Sequence, residues 1–403
     1  MDKKLDHFDL VILGGGASGL AASISSKIIN KNLRVLIIEK NDIVGKKIKA
    51  TGNGKCNITN ENAEDVELTK KFMKKVGIFL KTSEQGRIYP YSESAKEVRN
   101  TLELRAKELG VELSCNSVVK EVKKSNDYYI INYVKDQGIK SIYANHLVVS
   151  MGGKAGPKFG TTGDGFRIAK ELGENVSKVI PVLTGVNTIE AKTSRLTGLR
   201  VKGEVALFNS DKEIFREAGE VQFTDYGISG IVVFNMTKHM QLAENSSFSD
   251  FEIYLSPAPG IKIKDYIREI RQASFGYTET IKNAFSTLIR CELIEYAIRD
   301  TNLDINKKIK DLTDEEIEIL SGRVEHIKFS PKGLKGWDFA TCTKGGVKKD
   351  GLDLSTYESK NNKNLYFVGE IVDYDGYCGG FNLNHAWVSG IKAGEAIGRK
   401  TKH

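Results

Sequence analysis

Gly14, Gly16 and Gly19 form a GxGxxG run between the apolar stretch Phe8 to Leu13 and the helix-like stretch Ala17 to Asn30. A dinucleotide-binding turn needs that placement: the first glycine permits the tight bend, the second lets the backbone approach a pyrophosphate, and the third lets helix and strand touch. Ala17 and Ser18 fill the positions before the third glycine, where free N–H groups and the positive end of the helix favour an anion. Glu39 ends the next β-rich run, 20 residues past Gly19, and its carboxylate is placed to accept ribose hydroxyl hydrogen bonds; Lys40 follows it.

The fingerprint alone serves NAD and FAD equally. A flavin needs more of the chain, and three further segments are candidates to hold it. The first runs from Lys47 through ATGNGKCNITN, with Thr51, Gly52, Asn53, Gly54, Cys56 and Asn57. Its Gly54-Lys55 pair does not make a nucleoside-triphosphate loop, because that pattern needs glycine at 49 and Ser or Thr at 56, where Lys49 and Cys56 stand. Lys47, Lys55 and Asn57 are expected to offer donors to the cofactor. The second segment joins Ser150-Met151-Gly152-Gly153 to Thr162-Gly163-Asp164-Gly165. The third runs from Gly369-Glu370 past Asp373 to Gly379, Gly380, Asn382 and Leu383, ahead of a helix whose N-terminus suits the flavin edge where negative charge develops on reduction. Val119 completes the candidate cofactor contacts.

These residues need a frame. Phe8 to Leu13, Ala17 to Asn30 and Arg34 to Ile38 read as a β-α-β unit, and residues 111 to 150 as five short strands, VELSC, SVVKEVKK, YYIINYV, KSIYANH and LVVS, in a small meander. Beyond about residue 187 come antiparallel strands, and residues 261 to 322 are helical, with a capping box at Thr313-Asp-Glu-Glu316. NLYFVGE then reads as a strand rejoining the first sheet, followed by an amphipathic helix with small residues on one face. The expected organisation is a cofactor-binding domain (1–186), an inserted β domain (187–258 and 323–345) carrying a helical subdomain (259–322), and a return to the first domain (346–403). The sequence shows no internal repeat or low-complexity segment.

The 403 residues suffice for two to three packed domains. The formal charge of +8 includes no block of five or six consecutive basic residues, so a nucleic-acid partner is not expected. Five widely spaced cysteines without a CxxC pair point to a reducing, cytoplasmic setting, and no His or Cys spacing suggests a metal site. The start MDKKLDHFD fits a signal peptide poorly, and no segment has the 18 or so apolar residues of a membrane span.

The segments VILGGGASGLAA, GKKIKATGNGKCNITN, GRIYPYS, GGKAGPKFGTTGDGF, FTDYGISG, TKGGV and LYFVGEIVDYDGYCGGFNLNHAWVSG, in that order, resemble the BaiN/RdsA-type, or YhiN-like, FAD-dependent oxidoreductases over nearly the whole chain. The resemblance implies an α/β, Rossmann-like FAD-binding domain of the glutathione-reductase-like flavoprotein type, interrupted by a β-barrel-like insert with a helical part. It further implies FAD between the GxGxxG unit and the C-terminal segment, and an activity like that of bile-acid or steroid ene-reductases, or of aminoacetone oxidases. Where relatives often carry Thr-His-x-Gly-x-Ser-Gly-Pro, this chain has Thr224-Asp225-Tyr226-Gly227-Ile228-Ser229-Gly230-Ile231, without the histidine or proline.

A flavin reaction with a carbon substrate needs an acid or base beside the hydride acceptor. Tyr226 is the first candidate, Tyr377 the second, with Tyr374 and Asp225 nearby in sequence. A redox disulfide between Cys56 and Cys378 is not expected. No second GxGxxG exists, so NAD(P)H is expected to dock transiently against the flavin. Reduction of an activated carbon-carbon double bond is the leading expectation, amine oxidation with peroxide release the alternative, and RNA modification the third.

Overall fold

The computed structural model describes residues 6–190, 195–240, 247–273 and 279–402. The first five residues of the opening stretch and residues 274–278 of the expected helical region lie outside the described residues. The chain divides into two units: Met1–Pro181 with Thr341–His403, and Val182–Ala340.

In the first unit, β1 (Asp6–Leu13) leads through the glycine turn into α1 (Ala17–Ile29) and then β2 (Val35–Ile38). α2 (Ala95–Glu108) precedes β3 (Glu112–Ser114), β4 (Val118–Lys124), β5 (Tyr129–Lys135) and β6 (Gly138–Val149). α3 (Asp164–Glu171) follows, and after the insert come β7 (Leu352–Asp353), β8 (Glu358–Ser359), β9 (Leu365–Phe367) and α4 (Phe381–Lys400). The sheet runs β7-β8-β9-β6-β1-β2-β3, with β5 pairing to β6 and β4 to β5. Strands β9, β6, β1, β2 and β3 are mutually parallel. β2 and the last four residues of β1 are wholly buried apolar side chains, as a parallel sheet covered on both faces requires.

Register decides where chemistry can gather. Leu13 stands opposite both Ile38 and Val149, and Val149 opposite Phe367. The turns carrying Gly14, Glu39, Ser150 and Val368 therefore leave the sheet together at its carboxyl edge, the place where parallel α/β sheets bind ligands. α1 packs against α4 at backbone distance: a Cβ on Gly390 or Gly394 would sit 2.3 Å from the carbonyl oxygen of Ser18 or Ala22. The small-residue face expected for the last helix is this contact.

Two strand expectations need correction. KSIYANH and LVVS are one continuous strand, β6, because Gly138 to Ala144 pair with β5 while Ile142 to Val149 pair with β1, so the two pairings overlap across the middle of the strand. The polar Asn145 does not break it; its Oδ1 lies 2.8 Å from His7 Nε2 on β1. VELSC is not part of the meander but the parallel edge strand β3 on β2. The meander is the three strands β4, β5 and β6.

The second unit is a seven-stranded antiparallel sheet in the order 327–329, 251–256, 200–209, 212–224, 227–229, 186–188, 331–334. Its two edge strands are consecutive in the chain, joined by Ser330. A flat sheet would hold those edges about 29 Å apart, so this one curls. Helices Ile263–Gln272, Ile281–Phe285, Cys291–Ile298 and Asp314–Glu325 share its apolar core. The capping box forms as expected: Thr313 Oγ1 accepts from Glu316 N at 3.2 Å and Glu316 Oε2 from Thr313 N at 2.8 Å.

Candidate cofactor site

Gly14 bends the chain at φ +98°, a left-handed conformation open to glycine, with its N–H donating to Ile38 O at 2.8 Å. Ser150 Oγ donates to Gly14 O at 2.7 Å, fastening the end of β6 to the same turn. Gly19 is demanded by closeness, since a Cβ there would lie 2.1 Å from Gly14 O. Gly16 differs: a Cβ there would meet no protein atom within 4 Å, so the backbone before Ala17 is open to approach. α1 starts there without a side-chain cap or an acidic residue in its first turn.

The buried Glu39 accepts from Gly15 N through Oε2 and from Asn41 N and Nδ2 through Oε1, each at 2.8 Å. It holds the glycine turn in shape, and Oε2, with one bond, keeps a lone pair for a further donor. Ser117 N donates to Glu39 O at 2.9 Å, which brings the segment leading to the buried Val119 beside it. Lys40 Nζ bridges Thr162 Oγ1 at 2.6 Å and Asp164 Oδ2 at 2.8 Å. Burial pushes the Asp164 carboxyl up, but the hydrogen bonds from Lys40 and Thr162 outweigh it, and the group lies below its ordinary value. Gly163 precedes α3 in a left-handed conformation.

The three distant segments converge. Lys47 Nζ contacts Glu370 Oε2 at 2.6 Å and Ala155 O at 3.1 Å. Glu370 Oε1 accepts from Thr343 N at 2.9 Å, and Thr343 Oγ1 accepts from Lys154 N at 2.8 Å and Ala155 N at 3.0 Å. Gly153 lies against this network, with a Cβ there only 2.3 Å from Thr343 Oγ1 and 2.9 Å from Glu370 Oε1. Gly152 and Gly369 turn at φ +71° and +79°. Asp373 accepts from Ser177 Oγ at 2.8 Å and Gly345 N at 3.1 Å.

The segment from Lys47 to Asn60 folds as a kinked helical turn over Ile48–Gly54, left-handed at Gly52, Asn53 and Gly54. Thr51 Oγ1 donates to Ile48 O at 2.7 Å. Its far end is fixed to α4: Trp387 Nε1 donates to Ile58 O at 3.1 Å, and Thr59 Oγ1 and Thr69 Oγ1 each donate to Asn384 Oδ1 at 2.7 Å. A Cβ on Gly380 would lie 2.5 Å from the Thr59 carbonyl. Asn382 exchanges hydrogen bonds with Gly376 N and O at 2.8 and 2.9 Å, closing the turn before α4, while Leu383 packs on the core. Like α1, α4 begins on a glycine with no side-chain cap and no acid in its first turn. Lys55 departs from expectation: it pairs with Glu93 at 2.8 Å.

These residues fit an anionic dinucleotide with a polar ring edge. Besides the two open helix ends, Asn57 Oδ1 is buried without a hydrogen-bond partner among the described residues, a costly state that an added donor would relieve. Burial pushes the Cys56 thiol up to about 11, a hydrogen bond with Thr51 partly opposing it, so it is an unreactive neutral thiol. Neither Cys56 nor Cys378 is in a disulfide among the described residues.

Sequence reasoning missed Thr343, Asn384 and His385. His385, in the first turns of α4, stacks on Tyr374 with ring centres 4.2 Å apart, and its Nε2 has no partner among the described residues. Burial pushes its imidazole down to about 3. No spacing announces such a residue. Of the two tyrosines, Tyr377 is 42% exposed just ahead of α4 in the first unit. Tyr226 belongs to the second unit, in the two-residue turn between Thr224 and Gly227.

A Rossmann-like unit with an open glycine turn, joined to an antiparallel insert, defines a flavoprotein oxidoreductase fold. The chain matches the HI0933-like protein Rossmann domain over residues 8–73 and 65–396, and it belongs to that family of FAD-dependent oxidoreductases. It is similar to the 3-dehydro-bile acid delta(4,6)-reductase of Clostridium scindens, 28% identical over 424 residues, 96% of this chain and 98% of that protein. It is also similar to the ribosomal RNA dihydrouridine synthase of Escherichia coli, 25% identical over 408 residues, 96% of each. In fold it resembles an Escherichia coli quinol fumarate reductase FrdA, with 15% identity and a TM-score of 0.51 over 98% of this chain and 70% of that one. The 3-ketosteroid delta1-dehydrogenase of Sterolibacterium denitrificans gives a TM-score of 0.50 at 12% identity, over 98% of this chain and all of the other. Among the described residues no helix is long and apolar enough to cross a membrane, and no group of three or more His, Cys, Asp or Glu is placed to hold a metal.

Proposed function

We propose that the protein uses NAD(P)H, docking transiently, to reduce a carbon-carbon double bond conjugated to a carbonyl, in a steroid- or bile-acid-type enone. The observation that carries this reading is the similarity, end to end, to a bile-acid delta(4,6)-reductase. The second relative supports the bond type, because making dihydrouridine also saturates a double bond conjugated to a carbonyl.

The Gly14–Gly19 turn and the open end of α1 hold the pyrophosphate, and Glu39 the ribose. The 47–60 segment with Asn57, the Gly152-Gly153 turn, Gly369-Glu370 and the open end of α4 hold the flavin end. Bound FAD supplies the hydride, from N5 of its reduced ring. This chain must then orient the enone and deliver one proton to carbon. Tyr226 is the proposed donor: among the described residues its hydroxyl has no hydrogen-bond partner, so it is available to a substrate. Tyr377 is the alternative. Five cysteines outside any disulfide favour a reducing, cytoplasmic setting.

Anaerobic mixing with NADH and NADPH tests the reading. The flavin is expected to bleach with at least one and to recover its colour on addition of a 3-oxo-Δ4 steroid; a flavin left oxidised by both sinks the reductase. Bleaching by an amine, with peroxide in air, would instead establish the oxidase alternative. The similarity to an RNA-modifying relative favours one second reading, uracil within RNA as the enone. It predicts RNA binding that weakens steeply with salt.

A further inference from the structure

Within the second unit, Lys335 Nζ lies 4.3 Å from the ring centre of Tyr226 and 4.2 Å from that of Phe339. An ammonium held on two aromatic faces is attracted electrostatically to both. The backbone is arranged to hold it. Lys335 N donates to Gly185 O at 2.9 Å, Thr184 Oγ1 donates to Lys335 O at 3.3 Å, and Thr188 N donates to Tyr226 O at 3.0 Å. Gly185 is required beside Tyr226, since a Cβ there would lie 2.8 Å from both the ring and its hydroxyl oxygen.

The same ammonium has no carboxylate and no hydrogen-bond acceptor among the described residues, whereas other lysines of this unit have a carboxylate partner. Lys328 pairs with Glu252, Lys307 with Glu316 and Lys262 with Glu325. Two rings neutralise none of its three N–H donors. They fix its position and leave those donors for an oxygen that the protein does not supply. Phe339 is 58% exposed, so the stack opens to solvent and to an incoming molecule.

We infer that Lys335 is a catalytic residue that donates a hydrogen bond to the carbonyl oxygen of the substrate, beside the Tyr226 hydroxyl. This deepens the enone-reductase reading and rests on it. In that reaction hydride adds to the β carbon, the carbon-carbon π pair shifts to form the enolate, and the Tyr226 proton closes the α carbon. Negative charge gathers on the carbonyl oxygen between these events, where a fixed ammonium stabilises it most. Lys335 keeps its own protons throughout. Tyr226 loses one and recovers it from solvent.

The test is binding and reduction of 4-androstene-3,17-dione by the FAD-loaded protein, read by perturbation of the flavin spectrum for binding and by anaerobic single turnover for reduction. Lys335→Met is expected to weaken binding by about tenfold or more and to slow reduction further, while Lys335→Arg, which keeps both charge and ring contact, stays within about threefold of the parent. Phe339→Leu, which loosens the stack and leaves the lysine, guards against misfolding of the Met variant; it is expected to weaken binding by about threefold. Tyr226→Phe is expected to bind the steroid like the parent and to reduce it slowly. A Lys335→Met protein that binds and reduces like the parent overturns the inference alone. A parent protein that does not bind the steroid overturns the enone reading and the inference with it.

Discussion

Helices α1 and α4 begin on Gly16 and Gly380 with no side-chain cap and no acidic residue in the first turn. The helix Asp314–Glu325 in the insert begins on Thr313, with a complete capping box and Asp314, Glu315 and Glu316 in its first turn. All three face the same problem, four backbone N–H groups without intrahelical partners. The insert solves it internally, with its own hydroxyl and carboxylates. The cofactor unit leaves the same groups open at two places and surrounds them with glycines that admit close approach. Stability is the purpose of the first solution. The second keeps donors for a ligand that carries negative charge.

The largest effect is expected where the open arrangement depends on absent side chains. Gly19→Ala would force a methyl to 2.1 Å from Gly14 O, a backbone atom that cannot swing aside. Overpacking costs about 1–3 kcal/mol in general, and here the displaced group is the phosphate turn itself. The variant is expected to purify without flavin, measured as the ratio of flavin to protein absorbance. A yellow, fully loaded Gly19→Ala protein would break the assignment of this turn.

Acid sharpens the contrast next. His385 near the start of α4 is held down to about 3 and His146 on β6 down to about 4, both chiefly by burial, against 6.5 for the free imidazole. Above pH 6.5 both are neutral whether the chain is folded or not, and neither affects stability. As pH falls below 6.5 the unfolded chain takes up protons that the folded one refuses, so stability declines, down to about pH 4 for His146 and about pH 3 for His385. Each contributes up to about 1.4 kcal/mol per pH unit in its window. Urea melts between pH 7 and pH 4.5 are expected to show the loss, and His385→Phe, which keeps a ring against Tyr374, to remove its share of the slope. An unchanged slope would mean that His385 is not held neutral.

Gly16→Asp converts the open type of helix start into the capped type. A Cβ there meets nothing, and the backbone at φ −75°, ψ −167° already suits a capping residue. The apo protein is expected to gain a few tenths of a kcal/mol. FAD affinity is expected to fall by about tenfold to a hundredfold, since the carboxylate occupies the donors and repels the pyrophosphate. Calorimetry and flavin titration of one variant thus read the two effects with opposite signs.

What the sequence disclosed follows from the same physics. Gly14, Gly16, Gly19 and Glu39 could be read because a phosphate turn needs particular residue types at fixed spacing. Gly390 and Gly394 could be read as a small face for a similar reason. The sequence suggests two strands where β6 is one, because the polar Asn145 looks like a break, and only its partner His7, far away in the chain, shows why it is not. Lys335 and Tyr226 lie in different strand connections of the insert, and nothing in either neighbourhood predicts their contact. Residues whose role depends on one backbone segment were legible, and those whose role depends on a fold-made neighbour were not.

The smallest expected effect tests the capped side of the contrast. Thr313→Ala removes the hydroxyl that accepts from Glu316 N and weakens the reciprocal bond from Glu316 to Thr313 N. It is expected to cost about 1 kcal/mol, measured by denaturant unfolding. Glu316 keeps its partner Lys307, with Nζ at 2.6 and 2.7 Å from its two oxygens, which limits the loss. FAD affinity is expected to stay the same, because this helix start belongs to the insert's own stability. A Thr313→Ala protein that lost flavin while keeping its unfolding midpoint would show that the capped end, too, serves the ligand, and the division between the two kinds of helix start would fall.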